Sequence, residues 1–214
     1  MIKDIKTIIL GGLNGNCYLL TTEKGFVLID TGGKSKRRKL EQELASEGCR
    51  PGDLVLILLT HGDFDHTGNC AYLREKYDTK IAMHHDDAGM VEQGDMFWNR
   101  QTGNIILKKL INSFFKITRF KPDFELDESS DLSTYGLNAK VLYLPGHSKG
   151  SIGLLTSDKD LFCGDLFTNQ KKPGPNSLVD NVDELNDSID KVKSLDTNTV
   201  YPGHGQPFQM SSCK

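Results

Sequence analysis

Short apolar runs alternate with polar turns along the chain, and several runs stop on a residue capable of chemistry. Phe26-Val27-Leu28-Ile29 ends on Asp30, and Leu54 to Leu59 ends on Thr60-His61. Val141-Leu142-Tyr143-Leu144 runs into Pro145-Gly146-His147, Leu161-Phe162-Cys163 leads to Gly164-Asp165, and Val200-Tyr201 leads to Pro202-Gly203-His204. Apolar segments of this length, bounded by glycine or proline, predict β-strands. Each of these strands would deliver an aspartate or histidine at its C-terminal end, where α/β proteins build sites on loops held by a rigid sheet.

Helical spacing fills some of the intervals. Residues 35–47 place Leu40, Leu44 and Ala45 on one side and stop at Gly48. Residues 182–195 carry Val182, Leu185, Ile189, Val192 and Leu195 at helical intervals, with Asn181 as the expected N-cap and Glu184 as its capping-box partner. Leu107, Leu110, Ile111, Phe114 and Phe115 form a third stripe, read first as the inner face of a helix packed on the sandwich, with an apolar lid over a cleft as the alternative. No repeat, low-complexity tract or linker interrupts the pattern. A single domain over 1–214 is expected, with about 84–126 as a helical, lid-like segment within it.

Composition narrows the partners. A net charge of −3 argues against a general nucleic-acid or membrane-surface binder and leaves a small molecule as the expected partner. The basic run Lys34-Ser35-Lys36-Arg37-Arg38-Lys39 reads first as the solvated start of a helix, with a landing patch for an anionic partner as the alternative. The five cysteines are odd in number and show no CxxC spacing, so neither a disulfide framework nor a cysteine zinc site is implied. Residues 1–25 lack a basic-then-apolar signal segment, and no apolar run approaches the roughly 20 residues that span a bilayer. A cytoplasmic, reducing location is therefore expected; the sequence leaves the oligomeric state open.

The informative stretch is Thr60-His61-Gly62-Asp63-Phe64-Asp65-His66-Thr67-Gly68, which sets His61, Asp63, Asp65 and His66 directly after a buried strand. Imidazole and carboxylate together suit zinc, iron or manganese, and a tight turn can aim several such groups at one point. A loop held by hydrogen bonds alone would account for that cluster in isolation. It would not account for His147 and His204, each in a Pro-Gly-His turn after a strand, or for Asp165 after another.

These residues resemble the signature of the metallo-β-lactamase superfamily, and the likeness extends over roughly residues 7 to 208. It takes in Val27-Leu28-Ile29-Asp30-Thr31-Gly32, the HxxxDH cluster, Gly146-His147-Ser148, Gly164-Asp165 and Pro202-Gly203-His204-Gly205. The resemblance implies a four-layer αββα sandwich with two divalent metal ions. It implies that His61, Asp63 and His147 hold the first ion, that Asp65, His66 and His204 hold the second, and that Asp165 bridges them. Asp30 matches an aspartate that supports the site without binding metal. A hydroxide bridging the ions would attack the substrate, with Asp65 as the catalytic residue that orients it and passes a proton to the leaving group.

The departures from the family pattern select among its branches. The family's commonest cluster is HxHxDH, and Asp63 replaces the second histidine. A harder oxygen donor moves preference from zinc, the first expectation, toward iron or manganese. A carboxylate there also resembles the flavodiiron oxygen and nitric oxide reductases, so a di-iron redox protein is one alternative; those enzymes add a flavodoxin domain, and this chain ends ten residues after His204. An aspartate at 165 resembles the glyoxalase II, lactonase and nuclease branches. A phosphodiesterase or nuclease is the other alternative, disfavoured by the net charge. A hydrolase of a small ester, thioester or related acyl compound, glyoxalase II-like, is the leading expectation.

Four further features have competing readings. Met96-Phe97-Trp98 could line an acyl pocket or pack on the sandwich. His84 and His85 are tempting ligands, but the site is already filled by seven other side chains, so substrate contact by His84 is the stronger of their functional readings. Lys171 and Lys172 read as a solvated loop, with contact to an anionic group as the alternative. Cys163 shares a strand face with Asp165 by alternation and reads as a small buried thiol.

Overall fold

The computed structural model describes residues 1–100 and 105–213, so part of the lid-like segment, residues 101–104, and the last residue lie outside the described residues. The first half of the chain gives β1 (Ile2–Ile8), β2 (Cys17–Thr22), β3 (Gly25–Ile29), α1 (Arg37–Ser46), β4 (Leu54–Leu58), α2 (Phe64–Thr67), α3 (Cys70–Tyr77) and β5 (Lys80–Met83). It continues with α4 (His85–Gln93), α5 (Ile105–Phe114) and β6 (Phe124–Glu125). These strands form one sheet in the order β1-β2-β3-β4-β5-β6, antiparallel from β1 to β3 and parallel from β3 onward. The second half gives β7 (Ala139–Tyr143), β8 (Ile152–Thr156), β9 (Leu161–Asn169), β10 (Gly174–Pro175), α6 (Val182–Lys193), β11 (Thr199–Gly205) and β12 (Phe208–Gln209). Its sheet runs β12-β11-β9-β8-β7, with β10 paired to β9.

The continuous apolar runs have a simple cause: both faces of the central strands are buried. Leu19, Leu28, Ile57 and Ile81 face the helices, packing with Leu40 and Leu44 of α1, Leu73 of α3 and Met90 of α4. Their neighbours Leu20, Val27, Ile29, Leu56, Leu58 and Ala82 face the second sheet and meet Val141, Ile152, Leu154 and Phe162. Behind the second sheet, Leu142, Leu161, Cys163 and Phe167 pack against Leu185, Ile189 and Val192 of α6. Three apolar layers between four layers of elements make the expected αββα sandwich, a single domain.

Strands β3, β4 and β7 end just before Asp30, the Thr60-His61 pair and the Pro145-Gly146-His147 turn, as expected. Strands β9 and β11 do not: both run on through Asp165 and His204, so these residues lie within strands rather than beyond them. The pairing of β9 with β11 shifts register at Tyr201/Pro202 and Pro202/His204, which frees side chains from strict alternation. Gly164, at φ +50°, has the same effect inside β9. Cys163 consequently packs toward α6 while Asp165 turns into the site, and the expectation of a shared face fails. The reading of Cys163 as a small buried thiol holds.

The helices bring three corrections. Ala45 is exposed, leaving Leu40 and Leu44 as the buried side of α1. Asn181 does cap α6, accepting from the N–H groups of Asp183 and Glu184, but its own N–H donates to the Gly146 carbonyl, so Glu184 is not a capping-box partner. The largest difference concerns α5. Ile111 packs on the core, whereas Leu107, Leu110 and Phe114 are more than half exposed. The helical period was legible, but α5 lies over the ligand loop instead of against a sheet: Phe115, just past its end, stacks on Phe64 with ring centroids 4.3 Å apart.

Candidate metal centre

The loops after β4 and β7, a single-turn helix and strands β9 and β11 converge at one edge of the sandwich. β4 delivers His61, the turn into α2 delivers Asp63, and α2 itself delivers Asp65 and His66. The loop after β7 adds His147, β9 adds Asp165, and β11 adds His204. A Cβ on Gly203 would collide with the Asp165 carboxylate, so glycine is required where β11 crosses β9.

The seven expected residues come together in overlapping groups: His61, Asp63 and His147; Asp65, His66 and His204; and His61, His66 and Asp165. Within each group the potential ligand atoms lie within 4.8 Å of one another. Asp165 is shared, its carboxylate 3.5 Å from His66 Nε2, 3.7 Å from His147 Nε2 and 3.5 Å from His204 Nε2. Asp65 Oδ2 lies 3.2 Å from His204 Nε2. His61 Nε2, His66 Nε2 and Asp165 Oδ1 are buried without a hydrogen-bond partner. Polar atoms left unpaired in this way cost free energy unless something else occupies the space they face. Imidazole nitrogens and a carboxylate oxygen are donors that a divalent transition metal takes; the residues fit such ions.

The imidazoles are pre-oriented. Asp30, held at φ +56°, accepts from the Thr60 N–H at 2.8 Å, from Thr60 Oγ1 at 2.7 Å and from His66 Nδ1 at 2.8 Å. Because the Thr60 hydroxyl proton is committed to Asp30, its oxygen accepts from His61 Nδ1 at 3.0 Å. His147 Nδ1 donates to the Leu178 carbonyl at 2.5 Å. In all three rings Nδ1 is occupied and Nε2 faces the shared space, where that of His147 meets Asp63 Oδ2 at 3.1 Å; outer hydrogen bonds of this kind fix a ligand's tautomer.

The buried carboxylates leave a surplus of negative charge, and the histidines respond. Burial pushes His66 down, but Asp30, Asp65 and Asp165 more than offset it and raise its pKa to about 10. Burial likewise opposes the charge on His147, and Asp63 and Asp165 raise it. His61 goes the other way, held well below its ordinary value by burial and by His66 and His147. Burial would lift the Asp165 carboxyl, yet the surrounding histidines hold it down to about 2.

Several residues at the site were not found in the sequence. Arg100, 8 % exposed, lays its guanidinium across Asp63, with Nη1 3.0 Å from Oδ1 and a hydrogen bond of 3.1 Å from Nη2 to Oδ2. Its Nε donates to Asp180 at 2.9 Å. Burial would raise the Asp63 carboxyl, but Arg100 and the His147 hydrogen bond hold it well below the carboxylate range. Asp87 is wholly buried and accepts from the N–H groups of Gly62 at 3.0 Å and Gly150 at 2.8 Å, from Ser148 Oγ at 2.6 Å and from Asn99 Nδ2 at 2.9 Å. It thereby ties the His61–His66 loop to the loop that carries His147. No spacing announces Arg100 or Asp87; the one available signal was that a buried-looking strand and helix start flank an acidic pair, Asp86-Asp87.

His84 is not at this centre. It is buried, its Nδ1 accepts from the Asp86 N–H as the cap of α4, and its ring stacks on Tyr143. It lies close to His85 and Asp86, but His85 is exposed and the group belongs to the start of α4. Lys171 and Lys172 are exposed, in keeping with a solvated loop. Met96 and Phe97 do reach the centre. With Arg100, Ile111, Leu178 and Val179 they line a cavity of 330 Å³ that opens on Asp63 and His147.

The metallo-hydrolase relative from Bacillus subtilis, "Probable metallo-hydrolase YqgX", is 27% identical over 92% of this chain and 87% of its own. The hydroxyacylglutathione hydrolase GloC of Haemophilus influenzae is 29% identical, covering 77% of this chain and 72% of the relative. The crystal structure of TTHA1623 in a di-iron-bound form superposes with a TM-score of 0.76 at 29% identity, covering 96% of this chain and 95% of that one. Residues 10–204 match the profile of the metallo-β-lactamase superfamily, and the chain belongs to that family.

Proposed function

We propose that this metal-dependent hydrolase holds two divalent ions and cleaves small acyl thioesters or esters. The observation that carries the reading is the trio of buried, partnerless atoms, His61 Nε2, His66 Nε2 and Asp165 Oδ1, beside an apolar cavity that opens on Asp63 and His147. His61, Asp63 and His147 would hold one ion, Asp65, His66 and His204 the other, and Asp165 both. When bound, such a pair supplies a nucleophilic water at neutral pH and polarises the substrate oxygen.

The protein's own residues do the rest. Met96, Phe97, Ile111, Leu178 and Val179 receive the acyl chain and keep it dry. Asp65, 12 % exposed at its side chain, takes the proton of the attacking water. The C–O bond forms, the C–S or C–O bond to the leaving group breaks, and Asp65 returns the proton to the departing thiolate or alkoxide. A thiolate is the easier group for this site to release, because a thiol near pKa 8.5 leaves with little protonation. The relative named for hydroxyacylglutathione supports a thioester as the preferred substrate. Zinc is the first expectation for the ions. The oxygen donor Asp63 and the di-iron form of TTHA1623 support iron as the second.

The test is hydrolysis by protein reconstituted separately with zinc, iron and manganese, assayed on acyl thioesters, esters, lactones and phosphodiesters. Acyl substrates should turn over, thioesters fastest. Turnover confined to phosphodiesters, or oxygen consumption by the iron form without hydrolysis, would refute the reading.

A further inference from the structure

A second cavity, of 650 Å³, adjoins the ligand loop and has no part in the scheme above. Its walls are Leu13, Phe64, Phe114 and Phe115, with Lys34 and Lys116 among its other lining residues. It lies close to the reacting centre. Phe64 stands in the chain between Asp63 and Asp65, the neighbouring Gly15 N–H donates to the Asp65 carbonyl at 3.1 Å, and Gly33 approaches the Asp65 backbone.

Two features mark this cavity as a binding surface. Leu13 and Phe114, 70 % and 76 % exposed, come from segments a hundred residues apart in sequence and present large apolar groups to one cleft. Bulky apolar groups gathered at a cleft mark ligand surfaces more often than isolated ones do. The second feature is charge. Lys34 and Lys116 both line the cleft, and, like most of the lysines, neither has an acidic partner among the described residues. Among the described residues no acidic side chain lines the cavity, although the chain as a whole carries a net charge of −3. Lys34, the first lysine of the basic run, is exposed at the helix start and also lines this cleft beside the centre.

We infer that this cavity is a subsite for the leaving-group arm of the substrate, and that it selects thiol arms with an apolar stem and a terminal carboxylate or phosphate. The inference rests on the thioester reading above. Lys34 and Lys116 supply the counter-charge, and the aromatic walls cover the stem. Lysine suits either anion, since it acts as a mobile point charge and not as a geometric fork.

Binding, read apart from turnover, tests it. Three hydrolysis-proof S-hexyl thioethers of matched arm length, ending in carboxylate, phosphate or hydroxyl, would be titrated calorimetrically into the metal-loaded protein. An anionic probe should bind about tenfold more tightly than the hydroxyl probe, with the margin shrinking as salt rises. The stronger of the two anions identifies the terminal group. K34A/K116A should abolish the margin, and a control change, K171A/K172A, should keep it. Equal binding of all three probes, no binding of any, or a margin that survives K34A/K116A would overturn the subsite. A dimer in solution that Phe114→Ser dissociates would assign the cleft to a second copy and also overturn it. Lysine-dependent binding without turnover of any thioester would sink the hydrolase reading and leave the anion subsite standing.

Discussion

The two halves of the centre are built from similar side chains but are supported in opposite ways. Behind Asp65, His66 and His204 stands an anion: Asp30 accepts directly from His66 and, through Thr60, orients His61. Beside His61, Asp63 and His147 stands a cation: Arg100 occupies both oxygens of Asp63 and is itself anchored by Asp180. Among the described residues Asp65 pairs with histidines alone. A guanidinium on a donor carboxylate draws off part of the charge that would attract a second cation. The comparison teaches that exchanging histidine for aspartate does not simply add charge to the first half. Arg100 offsets it, and the second half should therefore be the stronger attractor for metal.

The first way to break this comparison is to remove what both halves share. Asp165→Ala should release at least one ion, read by elemental analysis, and lower kcat/KM on the order of a thousandfold, the loss of several kcal/mol of transition-state stabilisation. Full metal retention in that variant would refute a shared bridge. Next in size is Asp87→Ala, which strands the donors of Gly62, Gly150, Ser148 and Asn99. It should cost about 3 kcal/mol or more in urea unfolding and loosen the first half; a loss within 0.5 kcal/mol, the range of about-neutral surface changes, would show that Asp87 does not hold the loops together.

Asp30→Asn removes the anion that supports His66 directly and His61 through Thr60. Asparagine tolerates the left-handed backbone at this position, so charge is removed with little strain. Metal affinity should fall by about 10–100-fold, the usual cost of losing a ligand's outer partner, and calorimetric titration of the chelator-treated protein would show it. Arg100→Ala should have the smallest effect and the opposite sign. Metal affinity of the first half should rise about tenfold as a competing charge leaves. Competitive chelation would measure it, and a fall would mean that Arg100 holds Asp63 in place for metal.

The sequence made the strand-borne part of this site legible, because a fully buried strand has to be apolar throughout and the first polar residue after it is conspicuous. His61, Asp30 and His147 were visible for that reason. Asp165 and His204 were found but misplaced, since their strands continue through them where glycine and a register shift break the alternation. Arg100 and Asp87 act across 37 and 25 positions respectively, on Asp63 and Gly62, and neither follows an apolar run. Contacts of that kind are set by tertiary approach, which local periodicity does not encode. The α5 stripe shows the converse: its period predicted a helix, but a period cannot say whether the apolar side faces a sheet or a cleft.

The most direct test of the two-ion centre is elemental analysis of protein purified without chelators or a metal-binding tag. About two zinc or iron ions per chain are predicted, falling to about one under mild chelation as the half clamped by Arg100 empties first. No stoichiometric metal in the fresh protein, and none after reconstitution, would contradict the account.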